Sequence, residues 1–201
     1  MMPLQDVALP DSSDESLADR ARRGARGAFV ALVARYEDRI YRLALRMSHD
    51  ESDAEEIAQE TFLRALRGIR FFRGDASFAT WLYRIAMNEA LMRRRARMRR
   101  PTESLDALPP GSGDAAMAAM DPRERIDDMV DDKRLALRVR QALGQLDDGQ
   151  RAALVLRDLE GLTAEEASEV LGISPEAVRQ RAHRARLRLR ELLGDLVSRP
   201  A

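Results

Sequence analysis

Residues 163–192 read TAEEASEVLGISPEAVRQRAHRARLRLREL, and the caps inside this stretch decide the fold. Thr163-Ala164-Glu165-Glu166 is a capping box that opens a short helix, Gly172 closes it, and Ser174-Pro175 supplies an N-cap and first-turn proline for a second helix. Two helices joined by so tight a turn form a helix-turn-helix. In the second helix Val178, Ala182, Ala185, Leu189 and Leu192 make one apolar stripe, with Arg179, Gln180, His183 and Arg184 on the other side. Side chains near the start of such a helix reach base edges in the major groove, arginine typically to guanine and glutamine to adenine. The competing reading is a plain helical hairpin with a basic solvated face; the caps, the glycine and the arginine density weigh against it. His183 reads as structural or as a phosphate contact, and with His49 as the one other histidine no metal site is expected.

Upstream of this stretch the charge is divided sharply. The 201-residue chain is formally neutral, yet it carries −4 over residues 1–20, +8 over 21–100, −7 over 101–132 and +3 over 133–201. Residues 101–132 hold four prolines and two glycines among acids and alanines, without a sustained apolar period, so they read as a flexible acidic linker. The expected organisation is all-α: a flexible acidic tail at 1–20, a helical domain at 21–100, the linker at 101–132 and the helix-turn-helix domain at 133–197. Both domains show helical spacing without alternating β-branched runs. Cysteine is absent, which removes disulfides and thiolate sites and suits a cytoplasmic location. No apolar run approaches a membrane span, and the acidic start lacks the features of a signal peptide, so no membrane insertion is expected.

In the first domain Phe29, Leu32, Val33, Tyr36, Ile40, Leu43 and Met47 follow the spacing of one long amphipathic helix. In the next, DAEEIAQETFLRAL at 53–66, Ala54, Ala58, Phe62 and Leu66 are expected to face the core, with Asp53, Glu56 and Glu60 opposite. That acidic side reads as a solvated face with a Glu60–Arg64 pair, or as a docking face for a basic partner. Five of the nine aromatic residues then fall between Phe71 and Tyr83, interleaved with Arg70, Arg73 and Gly74. Rings beside arginines suit single-stranded nucleic acid, because unstacked bases lie on the rings while the cations hold phosphates. Rings at helical spacing are also ordinary core, and Phe78 with Tyr83 or Trp81 is expected to have buried edges. A helix starting near Ser77 carries Thr80, Arg84, Asn88, Leu91 and Arg95 on one mostly polar face. It ends in a cluster of six arginines between Arg93 and Arg100.

The stretches RYEDRIYRLALRM, DAEEIAQETFLRAL, FRGDASFATWLYRIAMNEA and ALGQLDDGQRAALVLRDLEGLTAEEASEVLGISPEAVRQRAHRARLRLREL together resemble the extracytoplasmic-function (ECF) group of bacterial sigma-70-type sigma factors, in both domains and in their order. The resemblance implies that Asp53, Glu56, Gln59 and Glu60 dock on the β′ clamp helices of core RNA polymerase, with the β flap as a further contact. It implies that Arg70, Phe71, Phe72, Arg73, Thr80, Trp81, Arg84 and Asn88 melt the promoter −10 element and capture a flipped base, which needs a pocket that returns the lost stacking. Arg179, Gln180, His183 and Arg184 match the helix that reads the −35 element as duplex. The resemblance further implies an anti-sigma factor as partner and a linker that threads the polymerase's nucleic-acid channels. Departures from the family pattern are Asp147 in place of a common proline, and Ala167 and Ala182 in place of larger apolar residues.

Two other classes compete: a duplex-binding helix-turn-helix regulator acting without polymerase docking, and a helical adaptor with no nucleic-acid role. The aromatic and arginine loop argues against the first, which has no use for a single-strand pocket, and the arginine-rich helix against the second. No phosphate-cradling glycine motif, ligand cluster or nucleophile–base pair supports an enzyme or a cofactor.

Overall fold

The computed structural model describes residues 12–48, 50–99 and 137–194, all of them in helices or the turns between helices. The expected linker, His49 and Arg100 lie outside the described residues. The first domain comprises α1 (Asp14–Arg22), α2 (Arg26–Met47), α3 (Glu51–Gly68), a 3₁₀ turn at Ile69–Phe71 and α4 (Phe78–Arg99). The second comprises α5 at 137–144, α6 (Asp148–Leu154) continued by a π turn at Val155–Leu159, α7 (Ala164–Leu171) and α8 (Pro175–Leu192).

Of the tail expected at 1–20, residues 14–20 belong instead to α1, while residues 1–11 lie outside the described residues. Ser13 caps this helix by accepting from the Ser16 amide, Asp14 and Glu15 occupy its positive end, and Leu17, Ala18 and Ala21 are buried. Arg35 donates to Asp14 at 2.6 Å and the Tyr36 hydroxyl donates to the same carboxylate, so α1 is tied to α2. Burial, and then that carboxylate, push the Tyr36 hydroxyl well above its ordinary pKa. Along α2 the expected stripe is buried at Phe29, Leu32, Tyr36, Ile40, Leu43 and Met47.

In α3 the buried positions are Ala54, Ile57, Thr61 and Ala65. Only Ala54 of the expected stripe is fully covered; Leu66 is 53% exposed, and Ala58 and Phe62 are partly buried. The helix is therefore turned relative to the expected apolar side. Thr61 is absorbed into the core because its hydroxyl donates to the Ile57 carbonyl at 2.6 Å and leaves no unmet donor.

In the second domain the caps form where the sequence places them. Thr163 accepts from the Glu166 amide while the Glu166 carboxylate accepts from the Thr163 N–H at 2.7 Å. Gly172 ends α7 in the left-handed region at φ 65°, a conformation that costs glycine little. Asp147, at the position of the family's proline, caps α6 by accepting from the Gln150 amide. Ala167 and Ala182 are fully buried at the α7–α8 crossing.

The two domains also share one continuous core. Where α6 widens into the π turn, it delivers Glu160 to the first domain; the carboxylate, 4% exposed, accepts from Arg46 at 2.9 Å and from the Tyr83 hydroxyl at 2.9 Å. Arg94 pairs with Asp148 across the same boundary. Arg151 is 1% exposed, donates to the Met47 carbonyl at 3.4 Å, and leaves Nε and Nη2 without a partner. Desolvation, and then the neighbouring Arg94 charge, lower its pKa to about 10.

Candidate nucleic-acid and polymerase interfaces

The aromatic loop is positioned by its own rings. Phe78, 1% exposed, meets the Tyr36 ring edge-on at 5.6 Å, and Phe72 at 6.1 Å; Trp81 lies 5.2 Å from Phe72 and 5.7 Å from Phe78. Trp81 also packs against the backbone at Gly68, where a Cβ would come within 3.3 Å of its ring. The expectation that Phe78 and Tyr83 are buried holds, at 1% and 2% exposure. Phe71 projects instead, 71% exposed, with the Arg70 guanidinium 5.1 Å from its ring centroid. Between these rings and α4 opens a groove of about 440 Å³ lined by Phe71, Phe72, Arg73, Trp81 and Arg84 from the first domain and by Glu169 from α7.

Arg84 and Asn88 are exposed one turn apart on α4. Thr80 departs from the polar stripe expected there: it is 2% exposed, its hydroxyl is 2.8 Å from that of Ser77, and its amide donates to the same Ser77 oxygen. It secures the start of α4 rather than facing solvent.

The acidic side of α3 is an ion-pair network and not a row of free carboxylates. Glu60 accepts from Arg64 at 2.9 Å, Glu56 pairs with Arg93 at 2.5 Å, and Asp53 pairs with Arg97 at 2.7 Å. Arg64 also reaches Glu89, which is 5% exposed. With Gln59 and the exposed Leu63, Glu56, Glu60, Arg64, Glu89 and Arg93 line a groove of about 400 Å³ between α3 and α4. Three members of the α4 arginine cluster are therefore occupied: Arg93 and Arg97 by the α3 acids, Arg94 by Asp148. Sequence reading anticipated Glu60–Arg64. It missed Arg93, Arg97 and Glu89, because a pairing across two helices leaves no local spacing signal.

Arg179, Gln180, His183 and Arg184 are all exposed at the start of α8. Ser174 sets that start by accepting from the Ala177 amide, and Val178, Ala182 and Ala185 bury the opposite side. Arg179 is held by Glu165 and Glu176 at 3.3 Å each, and Gln180 donates to Glu176 at 3.2 Å. Further along, Arg186 grips Asp158 of the π turn with two hydrogen bonds of 2.7 and 2.6 Å, fixing the helix to its domain.

Comparison with known proteins agrees with this geometry. Residues 32–100 match sigma-70 region 2 and residues 136–189 match sigma-70 region 4. The chain is 38% identical over 192 residues to the RNA polymerase sigma-H factor of Pseudomonas aeruginosa, covering 94% of this chain and 98% of that one. It is 36% identical over 179 residues to the ECF sigma factor SigW of Bacillus subtilis, covering 88% and 95%. Among solved structures, CnrH in complex with the cytosolic domain of CnrY superposes with a TM-score of 0.67 at 31% identity, over 92% of this chain and 99% of that one. The sigma factor RpoE of Bartonella quintana, in complex with the anti-sigma factor NepR, gives 0.60 at 25% identity over 85% and 98%. The chain therefore belongs to the sigma-70 family of RNA polymerase sigma factors, in its extracytoplasmic-function group. It is a polymerase-binding alternative sigma factor, and a regulator independent of polymerase is disfavoured.

Proposed function

We propose that the two domains divide the work of promoter recognition, residues 21–100 opening the −10 element and residues 133–197 reading the −35 element. Asp53, Glu56, Gln59 and Glu60 dock on the β′ clamp helices, where their arginine partners exchange for basic groups of the polymerase. Phe71 and Trp81 receive the flipped −10 base, Arg70, Arg73 and Arg84 hold the adjoining strand, and the Asn88 amide pairs with a base edge. Phe72 and Thr80 act through position: one supports Trp81 and the other starts α4. Arg179, Gln180, His183 and Arg184 read the −35 duplex, and the second domain contacts the β flap. The acidic linker passes through the polymerase's nucleic-acid channels. The protein works in the cytoplasm without cofactor or catalytic chemistry of its own, and an anti-sigma factor holds it inactive, as the complexes of CnrH with CnrY and RpoE with NepR suggest by similarity.

The observation that carries this reading is the groove in which an exposed ring, Phe71, stands beside Trp81, Arg73 and Arg84, on the helix pair that also bears the acidic network. Run-off transcription with core polymerase alone and with this protein added, on a genomic fragment library, tests it: new start sites should appear only with the protein. Glu60→Arg should weaken association with core enzyme while leaving helical content unchanged and lowering stability by no more than about 1 kcal/mol, the exposed pair with Arg64 being lost to a like charge. Unaltered titration of this variant against core polymerase removes the docking assignment.

A further inference from the structure

Neutralisation divides the arginines of the first domain. Arg46, Arg64, Arg93 and Arg97 are ion-paired, whereas among the described residues Arg26, Arg67, Arg73 and Arg84 have no carboxylate partner. Arg73 and Arg84 line the aromatic groove. Arg26 and Arg67 line a second groove of about 310 Å³, between the α1–α2 turn and the end of α3; Arg70 and Arg22, the latter paired with Asp19 at 2.8 Å, complete its basic lining, and no carboxylate is among the lining residues. Its floor is apolar, with Phe29, Ile69 and the half-exposed Leu66. The grooves meet at consecutive residues, Arg70 facing the second and Phe71 the first.

We propose that the second groove holds the single DNA strand that continues away from the captured base, with Arg26 and Arg67 on its phosphates and Leu66 against a sugar or base face. Charge complementarity and continuity with the aromatic groove select this occupant over an apolar helix. The proposal rests on the single-strand reading of the first groove. The test uses holoenzyme and non-template oligonucleotides from a promoter found by run-off: one ends at the captured base, and the others extend it on the 5′ or the 3′ side. Arg26→Ala/Arg67→Ala should leave binding of the short strand unchanged and abolish the gain from one extension. The log–log salt slope for that extended strand should fall by about 0.7 per arginine. Equal weakening of all strands, or none with any, overturns the proposal while Arg84→Ala still reports on the aromatic groove. If the variant binds the strands normally but loses an acidic protein partner, the groove is a protein site and the proposal is wrong.

A second inference rests on the domain boundary. Reading two promoter elements at once requires separate surfaces, yet Glu169 of α7 sits in the wall of the aromatic groove, where its carboxylate opposes an incoming phosphate beside Arg73 and Arg84. Glu160 holds that arrangement through Arg46 and Tyr83, both in the first domain. Arg151 works against it, since a buried guanidinium with two unpartnered nitrogens is costly and regains water on opening. We infer that the packed arrangement is an internal block on the single-strand groove, latched by Glu160 and kept poised to open by Arg151. This too rests on the single-strand reading.

Two substitutions must then act in opposite directions. With donor and acceptor dyes on cysteines introduced at the exposed positions Val30 and Leu187, Glu160→Ala should lower energy transfer in the free full-length chain, which has no cysteine of its own. Leaving Arg46 and Tyr83 without their acceptor should shift the population toward the open form roughly tenfold or more, and raise single-strand affinity accordingly. Arg151→Met should raise energy transfer and lower that affinity. Circular dichroism and melting confirm that both variants fold. Movement of both in the same direction, or unchanged transfer in Glu160→Ala, overturns the latch; changed transfer with unchanged affinity overturns the block.

Discussion

The start of α8 and the loop after α3 present similar chemistry, arginines beside groups that meet bases, but they are held in place by opposite means. Arg179, Gln180, His183 and Arg184 ride one continuous helix whose origin is set within a single turn by Ser174. Phe71, Arg73, Trp81 and Arg84 converge from a 3₁₀ turn, a loop and α4, and their placement depends on Tyr36 in α2, on Gly68 and on Phe78. The first surface is fixed by local caps and tolerates change elsewhere in the fold. The second is a tertiary product, sensitive to any loss in the ring cluster beneath it.

The largest effect expected from this contrast is at Phe78. Phe78→Ala removes a ring that touches three others and should cost about 3–5 kcal/mol, read from urea unfolding. It should also abolish oligonucleotide binding by the aromatic loop while −35 duplex binding by α8 persists below the transition. Parallel loss of both activities would erase the contrast.

Arg179→Ala should cost about 1–3 kcal/mol on a specific duplex and relax selectivity at one position, as for a bidentate base contact. Arg190→Ala, in the last turn, should lower affinity evenly across sequences and reduce the salt slope by about 0.9, as for one duplex phosphate. Equal action of both on specific and random duplexes would make α8 a phosphate clamp. Asn88→Ala should cost about 1–3 kcal/mol in promoter opening but little in closed-complex formation, because the amide meets its base only after the base leaves the stack. Permanganate footprinting beside gel-shift binding separates these steps; normal melting with weak closed complexes would move Asn88 to the duplex side.

The smallest effect belongs to the caps. Thr163→Ala should lower thermal stability by about 1 kcal/mol. The Thr163 amide, and then its hydroxyl, hold the Glu166 carboxyl below the ordinary glutamate range. A depressed carboxyl stabilises the fold above its unfolded pKa and loses that contribution as pH falls through the lower folded value. Glu166→Gln should therefore flatten this part of the acid limb of stability, followed as melting temperature against pH.

The capping box, the Gly172 turn, the Ser174 cap and the stripe of α2 were all legible in the sequence, because each depends on residues no more than a few positions apart. So was the membership of the aromatic loop, as a composition of rings and arginines. The α1 helix was obscured because its three buried apolar residues are matched by three acids and two arginines, although Ser13 before Leu17, Ala18 and Ala21 is a readable start. The rotation of α3 was obscured because Thr61, polar in a pattern, becomes apolar in effect once its hydroxyl is bonded within its own helix. Sequence by itself determined that the chain is all-α, with a capped helix-turn-helix and a basic reading helix. Only the tertiary structure decided which arginines are neutralised, that Thr80 is inside, and that Glu160 and Arg151 meet the first domain across a shared core. The physical reason is range: caps and periods act over one or two turns of helix, whereas charge pairing and burial between distant segments depend on packing that no local pattern encodes.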